Sequence, residues 1–537
     1  MKSNDALKRA LTATMIAAWL AVAVVAATLP LPSREELNSI TARDLKKHLS
    51  FLASDELGGR YTLSQGNRIA ARYLASQLEA FGYRGGAHDG SFFQKVPLAY
   101  RSADPASHVT FTTAGQPVEF KLGDDFVMMP AVDTSFAGDL VFGGYGISSP
   151  ANKYDDYAGL DVKGKIVVLI AEDVPEALKN VVISDDERGE TAAAAHGAVG
   201  AIAILPQPMI AIWDQMKNYL GQPNQLGLPP RPVAGGKPFA AIAAGPPLIN
   251  AIAKAMGKEP SYLHPNGKAV QPAAIPARAD VKLKASVKEA PPAQNVVGIL
   301  EGVDPKLKDE YVVFSAHYDH LKTTDSGEVY NGADDDGSGT VSVLEIAQAF
   351  TVGERPRRSI LIIFHTGEEL GLFGSEYNTD YDPVVPMTKL VADFNIDMIG
   401  RSKPAGDTDP HDRELSDKDT VYLIGSDKLS TELHKLSEAT DNDLAHLKFD
   451  YRYNDENHPE RLYYRSDHYN YAKHGVPVIF YFTGLHRDYH RTTDDVAKID
   501  FEKMERIARM VFATGWRVAN LDHRVVVDKA TARAARQ

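Results

Sequence analysis

The chain has 537 residues, of which 44% are hydrophobic and 24% are charged, which excludes a wholly disordered protein. A chain of this length is expected to form two or three folding units. The net charge of −13 argues against the basic surface that phosphate binding needs, so we expect no nucleic-acid partner.

The N-terminal residues have the layout of a secretory signal. Positive charges lie within residues 1–9, an almost uninterrupted apolar run spans residues 15–29, and small side chains occupy residues 25–27. We therefore predict a signal peptide over residues 1–29 and an extracytoplasmic location, periplasmic or secreted. The alternative is an uncleaved membrane anchor, because the apolar run approaches the shortest lengths that span a bilayer. No other stable membrane association is expected.

Two segments with different periodicity follow the signal. Residues 41–83 carry apolar side chains at helical spacing, which predicts two helices, and a β-rich stretch completes a first region, residues 30–125. Residues 126–280 have short apolar strands around 139–142, 165–170 and 201–205, separated by Gly- and Pro-rich stretches. We interpret this second region as an inserted, β-rich lobe.

After Pro291 short apolar strands alternate with helices, which predicts an α/β fold. Continuous apolar runs are typical of strands buried on both faces of a mostly parallel central sheet flanked by helices. In such a sheet the active site lies beyond the carboxyl ends of the strands. The main domain is predicted at 281–522 and a C-terminal tail at 523–537. Within this domain we predict strands at 312–314, 360–364, 391–396 and 476–481 and helices at about 339–351 and 501–520.

Possible metal ligands follow each predicted strand. The first strand runs into Ser315-Ala-His-Tyr-Asp-His320, the second into His365-Thr-Gly-Glu-Glu369, the third ends at Asp397, and the fourth leads to His490. A turn with three carboxylates, Gly332-Ala-Asp-Asp-Asp-Gly-Ser-Gly339, lies between the first two. Since the chain has no cysteine, its strong metal ligands are His, Asp and Glu.

This residue set suits a pair of zinc ions. One bridging Asp, two further carboxylates and two histidines supply about three ligands to each ion. Paired metals about 3.5 to 4 Å apart hold a hydroxide nucleophile and stabilise the oxyanion of a tetrahedral intermediate. Glu368 and Glu369 are adjacent, so their side chains are expected to diverge, which lets one bind metal while the other acts as the general base.

Together with Asn-Ile-Asp-Met at 395–398 and Asp-Tyr-His-Arg-Thr-Thr-Asp at 488–494, these segments resemble peptidase family M28. Leu-Ala-Ser-Asp-Glu-Leu-Gly-Gly-Arg at 52–60 is similar to the family's N-terminal segment, and residues 126–280 resemble its protease-associated (PA) insert. The resemblance implies a zinc-dependent exopeptidase fold, two Zn²⁺ per chain and peptide substrates.

The resemblance also implies a role for each ligand. His317 and Asp397 would hold one zinc ion, Glu369 and His490 would hold the other, and Asp335, the middle residue of the three-Asp turn, would bridge them.

Three further residues receive catalytic roles from the same resemblance. Glu368 would be the general base. Asp319 would orient the imidazole of His317, as carboxylates beside metal-ligating histidines commonly do. Tyr463 would help to stabilise the oxyanion, but the adjacent Tyr464 leaves open which of the two tyrosines has this role.

Other histidines and motifs carry less chemistry. We interpret His320, His365, His468 and His486 as core or rim residues near the motifs, and His196 in the insert as structural. The sequence contains no Gly-x-Ser-x-Gly elbow, no His-Glu-x-x-His helix and no phosphate-binding loop, which argues against serine hydrolases and nucleotide-binding enzymes.

The favoured interpretation is an aminopeptidase. Its first rival is a carboxypeptidase or dipeptidase with the same metal pair, for which Arg465 and Arg491 would be candidates to bind a substrate carboxylate. A second rival is a glutaminyl cyclase-like enzyme with a single zinc ion. A non-catalytic, receptor-like binding protein is the third, and the complete set of ligands argues against it.

Overall fold

The computed structural model describes residues 30–128, 131–171, 174–179, 183, 187–220, 223–229, 239–455 and 458–529. The segment predicted as a signal peptide or anchor lies outside these residues. Within the described ranges we find no helix that is long and apolar enough to cross a membrane. The chain divides into two compact units. Of the described residues, unit 1 contains 30–96 and 292–529, and unit 2 contains those within Pro97–Pro291.

The helices and strands of both units are numbered together in chain order. The α-helices are α1 (Arg34–Ser39), α2 (Ala42–Leu52), α3 (Gln65–Ala80), α4 (Gly189–Ala195), α5 (Gln207–Ala211), α6 (Trp213–Leu220), α7 (Pro246–Ala255), α8 (Gly339–Val352), α9 (Phe373–Glu376), α10 (Thr431–Asp443), α11 (His468–Ala472) and α12 (Phe501–Asn520). The strands are β1 (Arg84–Gly85), β2 (Phe93–Val96), β3 (Ala99–Ala103), β4 (His108–Thr113), β5 (Gln116–Lys121), β6 (Phe126–Met128), β7 (Thr134–Phe142), β8 (Ser148–Ser149), β9 (Tyr154–Asp155), β10 (Ile166–Ile170), β11 (Gly200–Ile204), β12 (Gln225–Gly227), β13 (Ala241–Ala244), β14 (Ala273–Leu283), β15 (Ala285–Glu289), β16 (Ala293–Leu300), β17 (Tyr311–His317), β18 (Ser359–His365), β19 (Leu390–Ile396), β20 (Thr420–Ile424), β21 (Lys448–Asp450) and β22 (Val478–Phe482).

Unit 1 is organised around a sheet with the strand order β1-β16-β18-β17-β19-β22-β20-β21, and β2 also pairs with β16. The four middle strands, β18, β17, β19 and β22, are parallel, whereas β16 and β20 join them antiparallel on either side. The register places His317 beside His365 and Ile396 beside Tyr481. The carboxyl ends of the middle strands therefore meet at one edge, as the α/β prediction requires.

The middle strands are buried on both faces, which explains their uninterrupted apolar sequence. Every residue of β18 and β19 is buried. Val312 and Phe314 of β17 pack into one hydrophobic core with residues of α2, α3, α8 and α12, whereas Val313 packs into a second core on the opposite face. The predicted α/β layering, and the helices predicted at about 339–351 and 501–520, are confirmed.

A close approach between α8 and β19 brings two parts of the site together. The N–H of Gly339, the first residue of α8, donates a 2.9 Å hydrogen bond to Asp336 Oδ1. A Cβ atom on Gly339 would lie 2.2 Å from the carbonyl oxygen of Ile396, the last residue of β19. Only glycine lets the helix begin this close to the strand. The three-Asp turn before α8 therefore lies beside Asp397, the residue after β19.

Unit 2 contains an eight-stranded sheet with the order β5-β4-β14-β7-β10-β11-β13-β6 and a smaller sheet with the order β12-β3-β15. Strands β7, β10, β11 and β13 are parallel neighbours, and the other pairs of the larger sheet are antiparallel. The two ends of this unit lie side by side, because β3 pairs antiparallel with β15 and Ala290 N donates a 3.0 Å hydrogen bond to Leu98 O.

The unit boundaries differ from the predicted ones. Residues 97–125 and 281–291 were assigned to the regions flanking the insert, but they lie in unit 2. The reason is strand pairing: β4 pairs with β14, β5 pairs with β4, and β15 pairs with β3. Two of these pairs, β4 with β14 and β3 with β15, join strands far apart in the chain, and β5 directly follows its partner β4, so local composition does not reveal the boundary. In unit 1, Val96 of β2 pairs with Ala293 of β16, although the whole of unit 2 separates these two residues in the sequence.

Candidate metal centre

The five predicted metal ligands meet at the carboxyl edge of the central sheet in unit 1. His317 ends β17, Glu369 follows β18, Asp397 follows β19, His490 lies in the loop after β22, and Asp335 lies in the turn before α8. All five line one cavity, and Glu368 lines it with them.

Asp335 lies between the two histidines. Its Oδ1 atom is 3.4 Å from His317 Nε2 and its Oδ2 atom is 3.1 Å from His490 Nε2. His317 Nε2 also lies 3.7 Å from Asp397 Oδ1, and His490 Nε2 lies 3.0 Å from Glu369 Oε2. Each imidazole thus faces the shared carboxylate and one carboxylate of its own.

The chemistry of this cluster fits a metal centre. Asp335 Oδ2 and His490 Nε2 are buried, and neither has a hydrogen-bond partner of acceptable geometry among the described residues. Such atoms are rare in folded proteins. Burial acts to lower the pKa of His490, but its contacts with Asp335 and Glu369 outweigh burial and raise this pKa to about 10. The carboxylates therefore stabilise positive charge between them, and imidazole nitrogen with carboxylate oxygen is a ligand set that suits zinc.

The adjacent glutamates have different surroundings. Glu369 Oε1 lies 2.6 Å from His320 Nδ1, and Glu369 Oε2 faces His490. Burial acts to raise the pKa of Glu369, but these two histidines outweigh it and lower the pKa. Glu368 Oε2 lies 3.8 Å from His317 Nε2. Burial, together with the carboxylates around it, raises the pKa of Glu368 well above its usual range. The two side chains diverge, as expected from their adjacency.

The three aspartates of the turn make separate contacts. Asp334 Oδ2 lies 3.2 Å from His486 Nε2, and neither residue lines the cavity. One carboxylate oxygen of Asp336 lies within 4.8 Å of ligand atoms of His317 and Asp397, but both of its carboxylate oxygens accept main-chain N–H groups. Among the three, Asp335 is the one that lines the cavity.

Asp319 contacts His317 mainly through its main chain. Its carbonyl oxygen lies 3.2 Å from His317 Nδ1, whereas its carboxylate lies 3.8 Å from the same atom. The carboxylate instead accepts hydrogen bonds from Thr62 Oγ1 at 2.9 Å and from the main-chain N of Glu368 at 3.2 Å. The side chain of Asp319 therefore holds the segment that carries Glu368.

Tyr463 lies outside the cavity lining, so its position does not support the role predicted for it in oxyanion stabilisation. A Cβ atom on Gly425 would lie 2.8 Å from the Tyr463 ring, and the His468 ring lies edge-on to it at 5.5 Å. Tyr489 does line the cavity and stacks on His490 with a centroid distance of 3.9 Å. Sequence reasoning missed Tyr489, although its place directly before a predicted ligand was a signal.

The five other histidines singled out in the sequence, His320 among them, lie outside the cavity lining. His365, His468 and His486 are buried, and His196 of unit 2 stacks on Tyr157. These positions agree with their interpretation as core or structural residues. His320 differs because its contact with Glu369 makes it part of the candidate centre.

Two other residues that sequence reasoning missed hold ligands in place. Ser466 Oγ donates a 2.7 Å hydrogen bond to Asp397 Oδ2. Asp494 Oδ2 accepts a 3.1 Å hydrogen bond from the main-chain N of Asp335. Both residues lie within motif segments, but sequence alone does not show which main-chain or side-chain atoms they contact.

An α/β unit with a cluster of carboxylates and histidines at the carboxyl edge of its sheet has the architecture of a metal-dependent enzyme. The sequence model of Peptidase family M28 matches residues 295–515, the part of unit 1 that carries this cluster. This segment is similar to peptidase family M28.

Relatives with assigned names match part of the chain. A "Probable zinc metalloprotease" of Pyrenophora tritici-repentis is 29% identical over 252 residues, covering 42% of this chain and 56% of that protein. Aminopeptidase YwaD of Bacillus subtilis is 34% identical over 124 residues, covering 23% of this chain and 25% of that protein. The chain spans about half the length of the first curated relatives it matches.

A solved structure of similar extent is the aminopeptidase from Aneurinibacillus sp. strain AM-1. It is 19% identical, and the alignment covers 92% of this chain and 97% of that chain with a TM-score of 0.44. Similarity at this level carries no argument about function.

Proposed function

We propose that this protein is an exported, zinc-dependent exopeptidase that removes N-terminal residues from peptides. The observation that carries the proposal is the position of Asp335, whose two carboxylate oxygens face His317 Nε2 at 3.4 Å and His490 Nε2 at 3.1 Å. A carboxylate in this position suits a ligand shared by two metal ions. His317 and Asp397 would hold one Zn²⁺, and His490 and Glu369 the other.

In the proposed hydrolysis, the zinc ions and the side chains of the protein have different roles. Bound zinc makes water a stronger acid and polarises the scissile carbonyl. Glu368 lines the same cavity and is not paired with His320 or His490, so its carboxylate accepts a proton from the attacking water and returns it to the leaving amine. Asp319 fixes the main chain of Glu368 through its 3.2 Å hydrogen bond.

The choice of an aminopeptidase is supported by what the relatives are called. Aminopeptidase YwaD and two fungal proteins named as probable leucine aminopeptidases are among them. Export is supported by the charge and hydropathy pattern of residues 1–29.

A second candidate, a dipeptidase or carboxypeptidase, is favoured by Arg465. This residue lines the cavity, and Arg491 does not. The Nη2 atom of Arg465 lies 3.5 Å from the hydroxyl of Tyr489, and its Nη1 atom lies 3.0 Å from Glu460 Oε2. Arginine binds carboxylates through two parallel hydrogen bonds, so Arg465 suits the free carboxylate of a short peptide.

Hydrolysis of a matched substrate panel tests these functions. Full-length protein is assayed with leucyl-p-nitroanilide, with a dipeptide and its C-terminal amide, and with an N-acetylated peptide, each with and without a chelator. The proposed aminopeptidase cleaves substrates with a free amine and leaves the N-acetylated peptide intact. Cleavage of the acetylated peptide would indicate a carboxypeptidase, and activity that survives exhaustive chelation would contradict the metal mechanism. An N-terminal glutamine peptide tests for cyclisation.

Arg465→Met separates the first two candidates further. If Arg465 binds a substrate carboxylate, the KM for the dipeptide rises while that for its amide is unchanged. Arg461→Met is the matched control, because Arg461 lies over the ring of Tyr464 and outside the cavity lining.

A further inference from the structure

Arg60 is a buried cation whose hydrogen bonds all go to main-chain carbonyl groups. Its side chain is 1% exposed. Nε donates to Tyr318 O at 2.9 Å, Nη1 donates to Leu52 O at 2.6 Å and to Asn331 O at 2.7 Å, and Nη2 donates to Gly332 O at 3.0 Å. A planar guanidinium with five donors suits such a set of fixed acceptors.

Three of these carbonyls belong to the two ends of one loop. Tyr318 directly follows His317, the last residue of β17. Asn331 directly precedes the turn that contains Asp335, and Gly332 is the first residue of that turn. A single side chain therefore fixes the chain just after one candidate ligand and just before another.

The neighbours of Arg60 contact the same loop. Gly59 has a φ angle of +78°, and a Cβ atom on it would lie 2.2 Å from Leu321 O and 2.8 Å from Tyr330 O. Thr62 Oγ1 donates a 2.9 Å hydrogen bond to Asp319 Oδ2. Gly59 and Thr62 thus add contacts near both ends of the loop, and the close approach at residue 59 requires glycine.

The charge of Arg60 also matches its surroundings. Burial lowers the pKa of Arg60, while the nearby carboxylates Asp319, Asp335, Asp336 and Asp494 oppose that shift. Arginine remains protonated in proteins. The positive charge of Arg60 therefore interacts favourably with carboxylates in and around the candidate centre.

We propose that the segment Gly59–Thr62 is a positioning element of the metal centre, in which Arg60 fixes both ends of the loop that joins His317 to Asp335. The segment lies outside the residues matched by the family model. Arg60 acts through the main chain of the ligand-bearing loop and touches no substrate. The inference rests on the proposed function for the identity of the metal.

The first test compares Arg60→Met with Arg358→Met in the full-length protein. Arg358 is also fully buried and donates to the carbonyl oxygens of Val518, Leu521 and His523, but it precedes β18 and so lies at the opposite end of that strand from the site. Zinc affinity is measured by chelator competition, and the melting temperature is measured on metal-free protein. We expect Arg60→Met to weaken zinc binding by about tenfold or more, the size typical of residues that support ligands. Arg358→Met should lower the melting temperature and leave zinc affinity unchanged.

A conservative variant of Arg60 and a comparison of two glycine-to-alanine variants test the proposal even if Arg60→Met does not fold. Arg60→Lys retains the charge but loses the planar guanidinium with its five donors. Its zinc affinity should therefore fall between those of wild type and Arg60→Met. Gly59→Ala should weaken zinc binding, whereas Gly82→Ala should not. Gly82 has a similar φ of +88°, and a Cβ atom there would meet nothing within 4 Å.

The outcomes separate this inference from the proposed function. Wild-type protein that binds no zinc would contradict both, and this result precedes any comparison of variants. Wild-type protein that binds zinc, with Arg60 and Gly59 variants of equal affinity, would overturn only the positioning role. A loss of stability in the Arg60 variants equal to that of Arg358→Met, without a change in zinc affinity, would have the same meaning.

Discussion

Glu369 Oε1 lies 2.6 Å from His320 Nδ1, whereas the ion pair found for the adjacent Glu368 among the described residues is with His317. Glu369 is held between His320 and His490, whereas Glu368 faces the cavity beside His317. Removing one or the other of these two identical side chains is therefore expected to affect the protein differently.

Glu369→Ala should lose zinc together with activity, because it removes a ligand. Glu368→Ala should retain both zinc ions and lose about a hundred- to ten-thousand-fold in kcat, the usual cost of removing a general base. Zinc content is measured by elemental analysis, and kcat and KM are measured with leucyl-p-nitroanilide. Loss of zinc in Glu368→Ala, with both ions kept in Glu369→Ala, would mean that the two roles are reversed.

His320→Leu should weaken one of the two zinc sites, because Glu369 loses the contact that holds its Oε1 atom. Loss of such a supporting residue typically costs about 10- to 100-fold in metal affinity. His320→Asn is the matched variant, since its amide can place a donor near the position of Nδ1, and it should retain more affinity than His320→Leu. Equal zinc titrations for wild type and His320→Leu would show that Glu369 needs no such support.

Asp393 should make stability depend on pH. It is fully buried in β19, and burial raises its pKa to about 8, although a 2.8 Å hydrogen bond from Ser315 Oγ opposes the shift. An unfolded Asp titrates near pH ~3.9, so between about pH 4 and 8 the folded state holds a proton that the unfolded state has released. The stability contributed by Asp393 is therefore full below the unfolded pKa and is lost as pH rises through the folded one.

Asp393→Asn should remove this slope, because the amide does not titrate. Denaturant unfolding across this pH range gives the difference in free energy of unfolding between variant and wild type. Asp325→Asn, at an exposed loop position, is the control and should leave the slope unchanged. A wild-type slope that persists in Asp393→Asn would assign the pH dependence to other groups.

The pairing of Val96 with Ala293 allows unit 2 to be removed cleanly. Replacing residues 97–292 by Asn-Gly should close a β-hairpin between β2 and β16, since Asn-Gly favours the two-residue turn that joins facing antiparallel residues. If unit 2 is a PA-like insert that selects substrates, the shortened protein should retain zinc and change its preference among peptides of increasing length. A shortened protein that binds zinc and cleaves every length at wild-type rates would exclude unit 2 from selection.

Local patterns in the sequence predicted the elements that bear the site. The continuous apolar runs of β17, β18 and β19 indicated buried parallel strands, and parallel strands place their following residues at one edge. The position of Asp335 between two histidines agrees with the bridging role that the family resemblance implied.

Contacts between distant parts of the chain could not be predicted in this way. Three of the hydrogen bonds of Arg60 join residues more than 250 positions apart, and no periodicity marks them. The same limit explains the misplaced unit boundaries, which depend on the pairing of β4 with β14. Tyr463 shows a different limit, because its motif position did not reveal that it lies outside the lining of the cavity.

The side-by-side ends of unit 2 have a consequence for the order of folding. Unit 1 is discontinuous in the chain, so α1 to α3 are synthesised long before the strands that cover their apolar faces. Unit 2 is continuous and is complete before β16 emerges. Once it has folded, the pairing of β3 with β15 shortens the effective loop between the two halves of unit 1 from about 200 to about 10 residues, which lowers the entropic cost of closure by about 3 kcal/mol. Unit 2 should therefore speed the assembly of the metal centre, even though no ligand of that centre lies within it.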